Sequence, residues 1–279
     1  MNTTETIESR VRRFAHGVPP GEEGEACAAV RDLLEALEEG RVRAATPHDG
    51  RWTVHEWVKL GILLAFRVGR IAPLPDAGPL SFADKDTLPT RRVPEGVRIV
   101  PGGSALRAGT FLGTGVVVMP PAYVNVGAWI GPGTLIDSHA LVGSCAQIGA
   151  RCHVSAGAQV GGVLEPVGEL PVIVEDDVLV GGNAGLYEGV LVRRRAVLAA
   201  GVILTRSTPL YDLVHGTVHV ANPQGVLEVP AGAVVVMGSR PARGEHARAA
   251  GLHVATPLIV KYRDRATDAR AALEQALRP

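Results

Sequence analysis

A six-residue hydrophobic repeat runs through the middle of this 279-residue chain and constrains its fold more than any other feature. An aliphatic residue recurs at every sixth position from Val100 to Val160, and the repeat resumes from Val174 to Leu204. A helix requires spacings of three and four, and a half-buried strand alternates with a period of two, so a period of six fits neither. The side chain four residues after the aliphatic one is usually small, as at Thr110, Ala122, Ala128, Thr134, Ala140, Ala146, Cys152 and Ala158.

This pattern is typical of a mainly β protein, a parallel β-helix built from hexapeptides. Each unit supplies one short strand and one turn, three units close a triangular coil of about 18 residues, and equivalent side chains stack about 4.8 Å apart. The aliphatic residues fill the prism, and the small residues fit its corners. The repeat is interrupted at residues 165–170 and 209–228. Such loops either carry a binding site or are tolerated surface insertions.

The segment before the repeat predicts an N-terminal α-helical domain. Residues 5–39 contain two helical stripes of apolar residues, Ile7, Val11 and Phe14, then Ala26, Val30, Leu33, Leu34 and Leu37. A third helix is expected from Thr53, because Thr53 and Glu56 have the spacing of a capping box. This helix is apolar nearly all round, which predicts that it is buried. Residues 71–96 are rich in proline and are expected to be extended.

The chain is therefore predicted to have three parts. Residues 1–96 form the helical domain and an extended linker, and residues 97–240 form the β-helix. Residues 241–279 form a short C-terminal extension, with a strand at 256–262 and a final helix at 267–277.

Composition excludes several functional classes. The 28 basic and 28 acidic side chains cancel, and there is no basic stripe with interleaved aromatics, so a nucleic-acid partner is not expected. Cys27, Cys145 and Cys152 lack the spacing of a zinc cluster and are typical of a reducing compartment. The sequence shows no signal peptide and no apolar run that could span a membrane. We expect a cytoplasmic protein with no metal and no membrane partner.

Ionisable residues within the repeat are the candidates for chemistry, because no nucleotide-binding loop, nucleophile elbow or zinc-protease motif occurs in a suitable context. Asp137 and His139 lie two positions apart, and His153, Glu188 and Arg98 also interrupt the apolar pattern. Histidine is best matched to proton transfer near neutral pH, which favours His139 and His153. The alternative for each residue is an ordinary solvated surface position.

Several segments of the chain are far more specific than the generic hexapeptide repeat. The most specific are Val-Gly-Ser-Cys-Ala-Gln-Ile-Gly at 142–149 and Gly-Gly-Val-Leu-Glu-Pro at 161–166. The others are Tyr-Val-Asn-Val-Gly-Ala at 123–128, Gly-Thr-Leu-Ile-Asp at 133–137, Asp-Gly-Arg-Trp-Thr-Val-His-Glu-Trp at 49–57 and Leu-Leu-Ala-Phe-Arg at 63–67. Through these segments, residues 48–238 resemble the tetrahydrodipicolinate N-succinyltransferase family.

The resemblance implies a homotrimer of left-handed parallel β-helices, with active sites in clefts between neighbouring subunits. It also implies transfer of succinyl from succinyl-CoA to the amino group of ring-opened tetrahydrodipicolinate (2-amino-6-oxopimelate), in lysine and diaminopimelate biosynthesis. The enzyme would bind a small-molecule amine and an acyl-CoA, which is either succinyl-CoA or acetyl-CoA. Its only protein partners would be sister subunits. No permanently bound cofactor or metal is implied.

Site residues follow from the same resemblance. Arg98, in Arg-Ile-Val-Pro, matches the family's substrate-binding arginine, and a guanidinium can hold a carboxylate through two parallel hydrogen bonds. Asp137 matches the active-site aspartate, which would hold the incoming amine and help to remove its proton. Gly201, Arg240 and Lys261 are candidate CoA contacts, although solvated surface positions are the alternative for the two cations.

The sequence also departs from the family at its predicted site. The family motif Glu-Asp-Asn-x-x-Ile-Gly-Ala-Arg-Ser-Glu ends in a second catalytic carboxylate, and the corresponding residue here is Gly185. Glu188 matches another glutamate of the motif and is a candidate replacement. The family's tryptophan two positions after the aspartate is His139 here, which places an imidazole near Asp137 either as the missing base or as filler.

Three functions therefore remain open. The first is the N-succinyltransferase reaction. The second is a related N-acyltransferase of specialised metabolism that uses acetyl-CoA or another acyl-CoA, because residues 182–184 and 199–201 are similar to acetyl-transferring relatives and the motif's arginine is absent. The third is a non-catalytic solenoid that binds a small molecule.

Overall fold

The computed structural model describes residues 6–77, 80–89 and 91–264. Its helices are α1 (Ile7–Phe14), α2 (Glu23–Glu38), α3 (Glu56–Val68) and α4 (Glu245–Ala249). Two antiparallel hairpins precede the solenoid, formed by strands β1 (Ala45–His48), β2 (Arg51–Val54), β3 (Ile71–Ala77) and β4 (Leu80–Lys85).

The solenoid consists of short parallel strands that form three sheets. Sheet 1 begins with β5 (Arg98–Ile99), β8 (Val117–Val118), β11 (Leu135–Ile136), β14 (His153–Val154), β17 (Leu179–Val180) and β20 (Val197–Leu198). Sheet 2 contains β6 (Ala105–Leu106), β9 (Tyr123–Val124), β12 (Leu141–Val142), β15 (Gln159–Val160), β18 (Gly185–Leu186) and β21 (Ile203–Leu204). Sheet 3 contains β7 (Phe111–Leu112), β10 (Trp129–Ile130), β13 (Gln147–Ile148), β16 (Ile173–Val174), β19 (Val190–Val192) and β24 (Leu227–Val229).

Sheet 1 is extended beyond the regular coils by four more strands. These are β25 (Ala233–Pro241), β26 (His253–Tyr262), β22 (Leu210–Asp212) and β23 (Thr217–His219), in that spatial order after β20. The second interruption of the repeat therefore supplies the β22–β23 hairpin, and the predicted strand at 256–262 is the second half of β26. The predicted helix at 267–277 lies outside the described residues.

Register across each sheet establishes the coil. Ile130 pairs with Ile148, and the 18 residues between their positions correspond to one turn of the prism. Ile148 then pairs with Val174, 26 residues later, because the first interruption adds eight residues to that coil. The stacked aliphatic side chains form one continuous buried core, which confirms the prediction of a parallel β-helix.

The start of the repeat differs from the prediction by one residue. Ile99, not Val100, pairs with Val118, so Val100 does not occupy the inward register position. The turn through Gly102 and Gly103, both with positive φ, accommodates one extra residue before the regular spacing begins at Leu106.

The helical domain covers one side of the prism. Helices α1, α2 and α3 share a buried cluster with Ala108, Val126 and Cys145, which lie in solenoid turns. The predicted stripes on α1 and α2 point into this cluster, as Val11 and Leu33 illustrate with no exposed surface. This packing fixes the helices against the corner between sheets 2 and 3.

The predicted capping box at the start of α3 is wrong. Thr53 pairs with Thr46 in the β1–β2 hairpin, so its backbone is extended and it cannot cap the helix. His55 occupies the N-cap position without a side-chain capping hydrogen bond, and its Nε2 instead lies 2.8 Å from Thr46 Oγ1. The hairpin itself turns at Asp49 and Gly50, both with positive φ, as a two-residue turn requires.

Residues 71–77 and 80–85 are extended as predicted and pair as a hairpin. The division at 1–96, 97–240 and 241–279 stays a proposal, and β5 and the end of β25 lie close to its two internal boundaries. Among the described residues, no helix has both the length and the apolar character needed to cross a bilayer. Within those same ranges, no group of three or more His, Cys, Asp or Glu side chains is placed to hold a metal ion.

The effect of truncating an isoleucine to alanine on the free energy of unfolding should depend on whether its side chain lies inside the prism. Ile148 is fully buried in the stack, whereas Ile71 is 68% exposed on β3. Ile148→Ala should lower the free energy of unfolding by about 2–5 kcal/mol, because it removes buried methyl groups and leaves a cavity. Ile71→Ala should change it by less than about 0.5 kcal/mol in urea titrations followed by circular dichroism. Equal effects of the two substitutions would contradict the assignment of the core.

Thiol reactivity provides a second test of burial. Burial raises the pKa of Cys145 and that of Cys152 to about 12, whereas Cys27 is partly exposed on α2. The thiolate is the reactive form, so only Cys27 should react rapidly with a chromogenic disulfide at pH 8, and all three thiols after denaturation. Rapid native reaction of a second thiol would contradict this prediction.

Candidate active site

Each corner of the prism is a column of turns, and the corner that follows sheet 1 carries most of the predicted site. We call this column, which joins sheets 1 and 2, corner 1–2. It comprises residues 119–122, 137–140, 155–158, 181–184 and 199–202. Corner 2–3 faces the helices, and corner 3–1 closes the coil.

Asp137 lies at corner 1–2 directly after β11, and its neighbour on the next coil is His153. Its Oδ1 accepts a hydrogen bond from the Ser138 amide at 2.7 Å, which orients the carboxylate. Its Oδ2 lies 3.7 Å from His153 Nε2, on the strand one coil further along. The imidazole is 11% exposed and the carboxylate 30%, so the pair is sheltered but open to a ligand on one side.

His139 occupies the turn itself and does not contact Asp137 through a hydrogen bond or ion pair within the described part of the chain. Its φ is 60°, a left-handed conformation that histidine tolerates better than most residues. The amide of Ala140 donates to Asp137 O at 3.1 Å, which closes a turn that places the exposed imidazole outward. The position therefore has a conformational role, and the histidine nearest the aspartate is His153.

Arg98 shares a face with Asp137. It lies on β5 in register with Val117 and, through β11 and β14, in the same outward column as His153. Two strand spacings, roughly 10 Å, separate β5 from β11. Arg98 is exposed, so its guanidinium and the Asp137 carboxylate border one continuous surface.

Unpaired backbone amides form a feature of corner 1–2, and the sequence did not identify which turns carry them. The amides of Ala156, Gly182 and Ala200, in three consecutive coils, donate to no acceptor among the described residues. At corner 3–1 the equivalent amides of Ala150 and Arg194 donate to the carboxylates of Asp176 and Glu175. At corner 1–2 a carboxylate plays this part only for the Ser138 amide, which donates to Asp137 Oδ1, among the described residues. In the three later coils the small turn residues leave the equivalent donors open to solvent. The Ser-Ala-Gly, Gly-Gly-Asn and Ala-Ala-Gly turns are the only sequence signal of this column.

The proposed CoA contacts lie toward the far end of the same face. Gly201 is in the turn column of His139, three coils or roughly 14 Å further along, with open space beside its Cα. Its own amide donates to Gly182 O at 2.9 Å, so it has no free amide for a ligand. Its contribution would be the shape of the turn. Arg240 is on β25, and Lys261 on β26 lies 3.0 Å from Asp264 Oδ2.

Glu188 lies elsewhere in the protomer. It is exposed at corner 2–3, two coils beyond Asp137, where Arg206 N donates to its carbonyl. The first insertion packs at this corner too, because Glu169 pairs with Arg206 through its side chain and accepts from Lys59 through its carbonyl. The insertion therefore braces α3, and the full width of sheet 2 separates Glu188 from Asp137.

Gly185, where the family motif has glutamate, is covered by an aromatic ring. A Cβ at this position would lie 2.7 Å from a ring carbon of Tyr187 and 3.0 Å from its hydroxyl. The Tyr187 hydroxyl donates to Gln159 Oε1 at 3.0 Å, which holds the ring across the outer face of sheet 2. Glycine at 185 and tyrosine at 187 are therefore sterically coupled.

Comparison with known proteins agrees with this architecture. A model of the tetrahydrodipicolinate N-succinyltransferase N-terminal region matches residues 2–68, and one of the hexapeptide repeat of succinyltransferases matches residues 171–206. A 2,3,4,5-tetrahydropyridine-2,6-dicarboxylate N-succinyltransferase of Bordetella avium is 41% identical, covering 98% of this chain and 97% of that protein. The enzyme of the same name from an Enterobacter species is 40% identical, covering 98% and 96%.

The chain is also similar, at lower identity, to solved structures. A putative 2,3,4,5-tetrahydropyridine-2-carboxylate N-succinyltransferase from Campylobacter jejuni has 17% identity and a TM-score of 0.44, covering 82% of this chain and 62% of that chain. A hexapeptide-repeat-containing acetyltransferase from Vibrio cholerae has 22% identity and a TM-score of 0.32, covering 45% and 67%.

The fold and the relatives together define an enzyme of the hexapeptide-repeat acyltransferase class, with a parallel β-helix. Within that class, the chain belongs to the tetrahydrodipicolinate N-succinyltransferase family, as its sequence motifs predicted.

The contact between Gly185 and Tyr187 predicts measurable coupling. Gly185→Ala should destabilise the wild-type chain by about 1 kcal/mol, because the new methyl displaces the Tyr187 ring from its hydrogen bond. In a Tyr187→Ala background the cost should fall, which gives a coupling energy of at least about 0.5 kcal/mol in a double-mutant cycle. Gly24→Ala, whose Cβ would meet no atom within 4 Å, is the control that should show no coupling to position 187. Additive effects at 185 and 187 would contradict the arrangement.

Proposed function

We propose that this enzyme transfers the succinyl group of succinyl-CoA to the amino group of ring-opened tetrahydrodipicolinate, in lysine and diaminopimelate biosynthesis. The observation that carries the proposal is the near-full-length similarity to N-succinyltransferases, 41% identity over 98% of the chain. The reaction joins the amine nitrogen to the thioester carbonyl carbon, breaks the carbon–sulfur bond and releases the CoA thiol, which receives the proton that the amine loses.

Arg98 and Asp137 are proposed to bind the amine substrate. The guanidinium of Arg98 suits one carboxylate of a dicarboxylic acid, since charge-assisted bidentate pairs are strong and directional. The Asp137 carboxylate suits the substrate ammonium and favours loss of its proton as attack begins. Their common face supports this division of roles because it lets one small molecule reach both groups.

The open amides of Ala156, Gly182 and Ala200 are proposed to bind the acyl-CoA. The thioester carbonyl develops negative charge during attack, and fixed N–H donors at that oxygen lower the barrier. Their spacing along corner 1–2 also matches an extended ligand that passes Gly201 toward Arg240 and Lys261. The two cations then serve the CoA phosphates.

Three residues are candidates for the proton acceptor beside Asp137. His153 is supported by its 3.7 Å approach to Asp137, and His139 by its exposed imidazole on the same corner. Glu188 qualifies only through a neighbouring subunit, because it lies on a different corner of its own protomer.

A homotrimer in the cytoplasm completes the proposal. Corner 1–2 is convex in one protomer, so a closed cleft requires the surface of a second copy. Within the described ranges the helical domain packs on corner 2–3 and not on corner 1–2, which leaves that corner available to a neighbouring copy. A neighbouring copy would bring a corner 2–3 or a sheet 2 face, with Glu188 or Tyr187, against Asp137.

A second candidate function keeps the chemistry and changes the donor. The Tyr187 ring occupies the space that a carboxylate at position 185 would need, so the family's second acid has no equivalent there. This favours a related N-acyltransferase that uses acetyl-CoA or another acyl-CoA on an amino-acid intermediate of specialised metabolism.

Thiol release distinguishes these functions and the non-catalytic alternative. Purified protein is assayed with succinyl-CoA or acetyl-CoA and with tetrahydrodipicolinate or 2-aminopimelate. We expect succinyl-CoA turnover, and Asp137→Asn should reduce it roughly 10²–10⁴-fold, because a positioned proton-transfer group contributes that much. Turnover with acetyl-CoA alone supports the second function, and no turnover with either donor across a panel of amines supports a binding role. An unchanged rate in Asp137→Asn would remove that residue from the mechanism.

Matched variants identify the proton acceptor. His139→Gly should preserve the fold, because glycine suits the positive φ at this position. We expect His153→Gln to reduce turnover strongly in the thiol-release assay, whereas His139→Gly and Glu188→Gln should retain most of it. A strong loss in His139→Gly or Glu188→Gln with turnover retained in His153→Gln would assign the role to that residue instead.

A further inference from the structure

A pocket lies on the opposite side of the prism from corner 1–2. It has a volume of about 400 Å³ and is formed by the β1–β2 hairpin, the outer face of sheet 3 and corner 3–1. Its lining includes Arg43, Trp52, Trp129, Glu175, Asp176 and Arg194. The volume falls within the range of small-molecule sites.

Arg43 is the unusual group in this pocket. Its guanidinium lies 3.9 Å from the centroid of the Trp129 ring and 5.6 Å from that of Trp52. Its Nε donates to Gln147 Oε1 at 3.0 Å, which fixes the plane of the group. In the described ranges of the chain, its two terminal nitrogens donate to no acceptor, and no carboxylate lies within 4 Å of them.

The energetic state of Arg43 favours an anionic ligand. Burial lowers the pKa of Arg43 to about 10, and the charge of Asp176 only partly offsets this effect. A cation that is partly withdrawn from water and has no carboxylate within 4 Å gains stability when an anion binds to it.

The carboxylates of the pocket do not fill this role. Glu175 accepts hydrogen bonds from Trp52 Nε1 at 3.2 Å, Arg193 Nη1 at 2.9 Å and the Arg194 amide at 3.0 Å. Asp176 accepts from the Ala150 amide at 2.8 Å. Both carboxylates are therefore held by hydrogen bonds to the turn and the hairpin.

A second uncommitted guanidinium lies at the mouth of the pocket. Arg194 is exposed, and its side chain makes no hydrogen bond or ion pair with any residue that the structure describes. One sheltered and one exposed cation therefore face the same space.

We propose that this pocket binds a small dianion, a dicarboxylate or a phosphate monoester, whose negative charge is shared between Arg43 and Arg194. The indole of Trp129 is covered on one face by Phe111, at a centroid distance of 3.8 Å, and on the other by Arg43. The ligand therefore meets the edges of the aromatic rings, and the cations determine its chemistry. The site lies on corner 3–1, so it is distinct from the acyl-transfer surface of the same protomer.

Tryptophan fluorescence of the full chain tests the proposal, because two of the three tryptophans line the pocket. Malonate and inorganic phosphate are titrated as the two dianion probes, with acetate and chloride at matched ionic strength as controls. We expect a saturable change with malonate or phosphate, and the better probe identifies carboxylate or phosphate as the preferred group. No saturable change with either dianion, or an equal change with chloride, would overturn the proposal.

Variants locate the binding. Arg194→Ala should weaken binding roughly tenfold, since a charge-assisted hydrogen bond is removed, and Arg43→Gln should weaken it at least as much. Arg248→Ala on α4 and Asp137→Asn should leave the affinity unchanged. If Arg43→Gln does not fold, Arg194→Ala decides the matter, because its side chain supports no other residue. Wild-type affinity in Arg194→Ala would contradict the site.

Discussion

The stacking of aliphatic side chains along the prism axis determines the rest of this structure. Each inward residue contacts its equivalent in the neighbouring coil, as Ile130, Ile148 and Val174 do in sheet 3. The parallel register that this stacking enforces leaves no freedom for strands to slip, because a shift of one residue would move an aliphatic side chain from the core to the surface. The corners then become straight columns in which equivalent residues of successive coils lie beside one another.

The columns explain how residues distant in sequence share one surface. Arg98, Asp137 and Gly201 are separated along the chain but lie along sheet 1 and its following corner. The corners differ in what satisfies their turn amides. Carboxylates accept from two of them at corner 3–1, and the helical domain packs on corner 2–3. At corner 1–2 the amides of three consecutive coils have no acceptor among the described residues, and we propose that acyl-CoA uses them. The difference is a local property of the turn residues, imposed on an otherwise uniform scaffold.

Sequence alone predicted the solenoid and the helical stripes, because each depends on a periodic apolar pattern. The sequence-based predictions were wrong where the pairing or register of one residue determined the local structure. Thr53 has the spacing of a helix cap but pairs in a hairpin, and Val100 fits the repeat but lies one residue out of register. The proximity of His153 to Asp137 follows from register across coils, and the position of the Tyr187 ring over Gly185 from side-chain packing. Neither is encoded in spacing along one strand.

We propose that acyl-CoA lies along corner 1–2 with its reactive end at Asp137. A crystal structure of the enzyme with CoA and the amine substrate would show where the ligand binds. We expect the CoA sulfur beside Asp137, pantetheine hydrogen bonds to the amides of Ala156, Gly182 or Ala200, and a substrate carboxylate on Arg98. A CoA bound against corner 2–3 or corner 3–1, away from all of these groups, would contradict it.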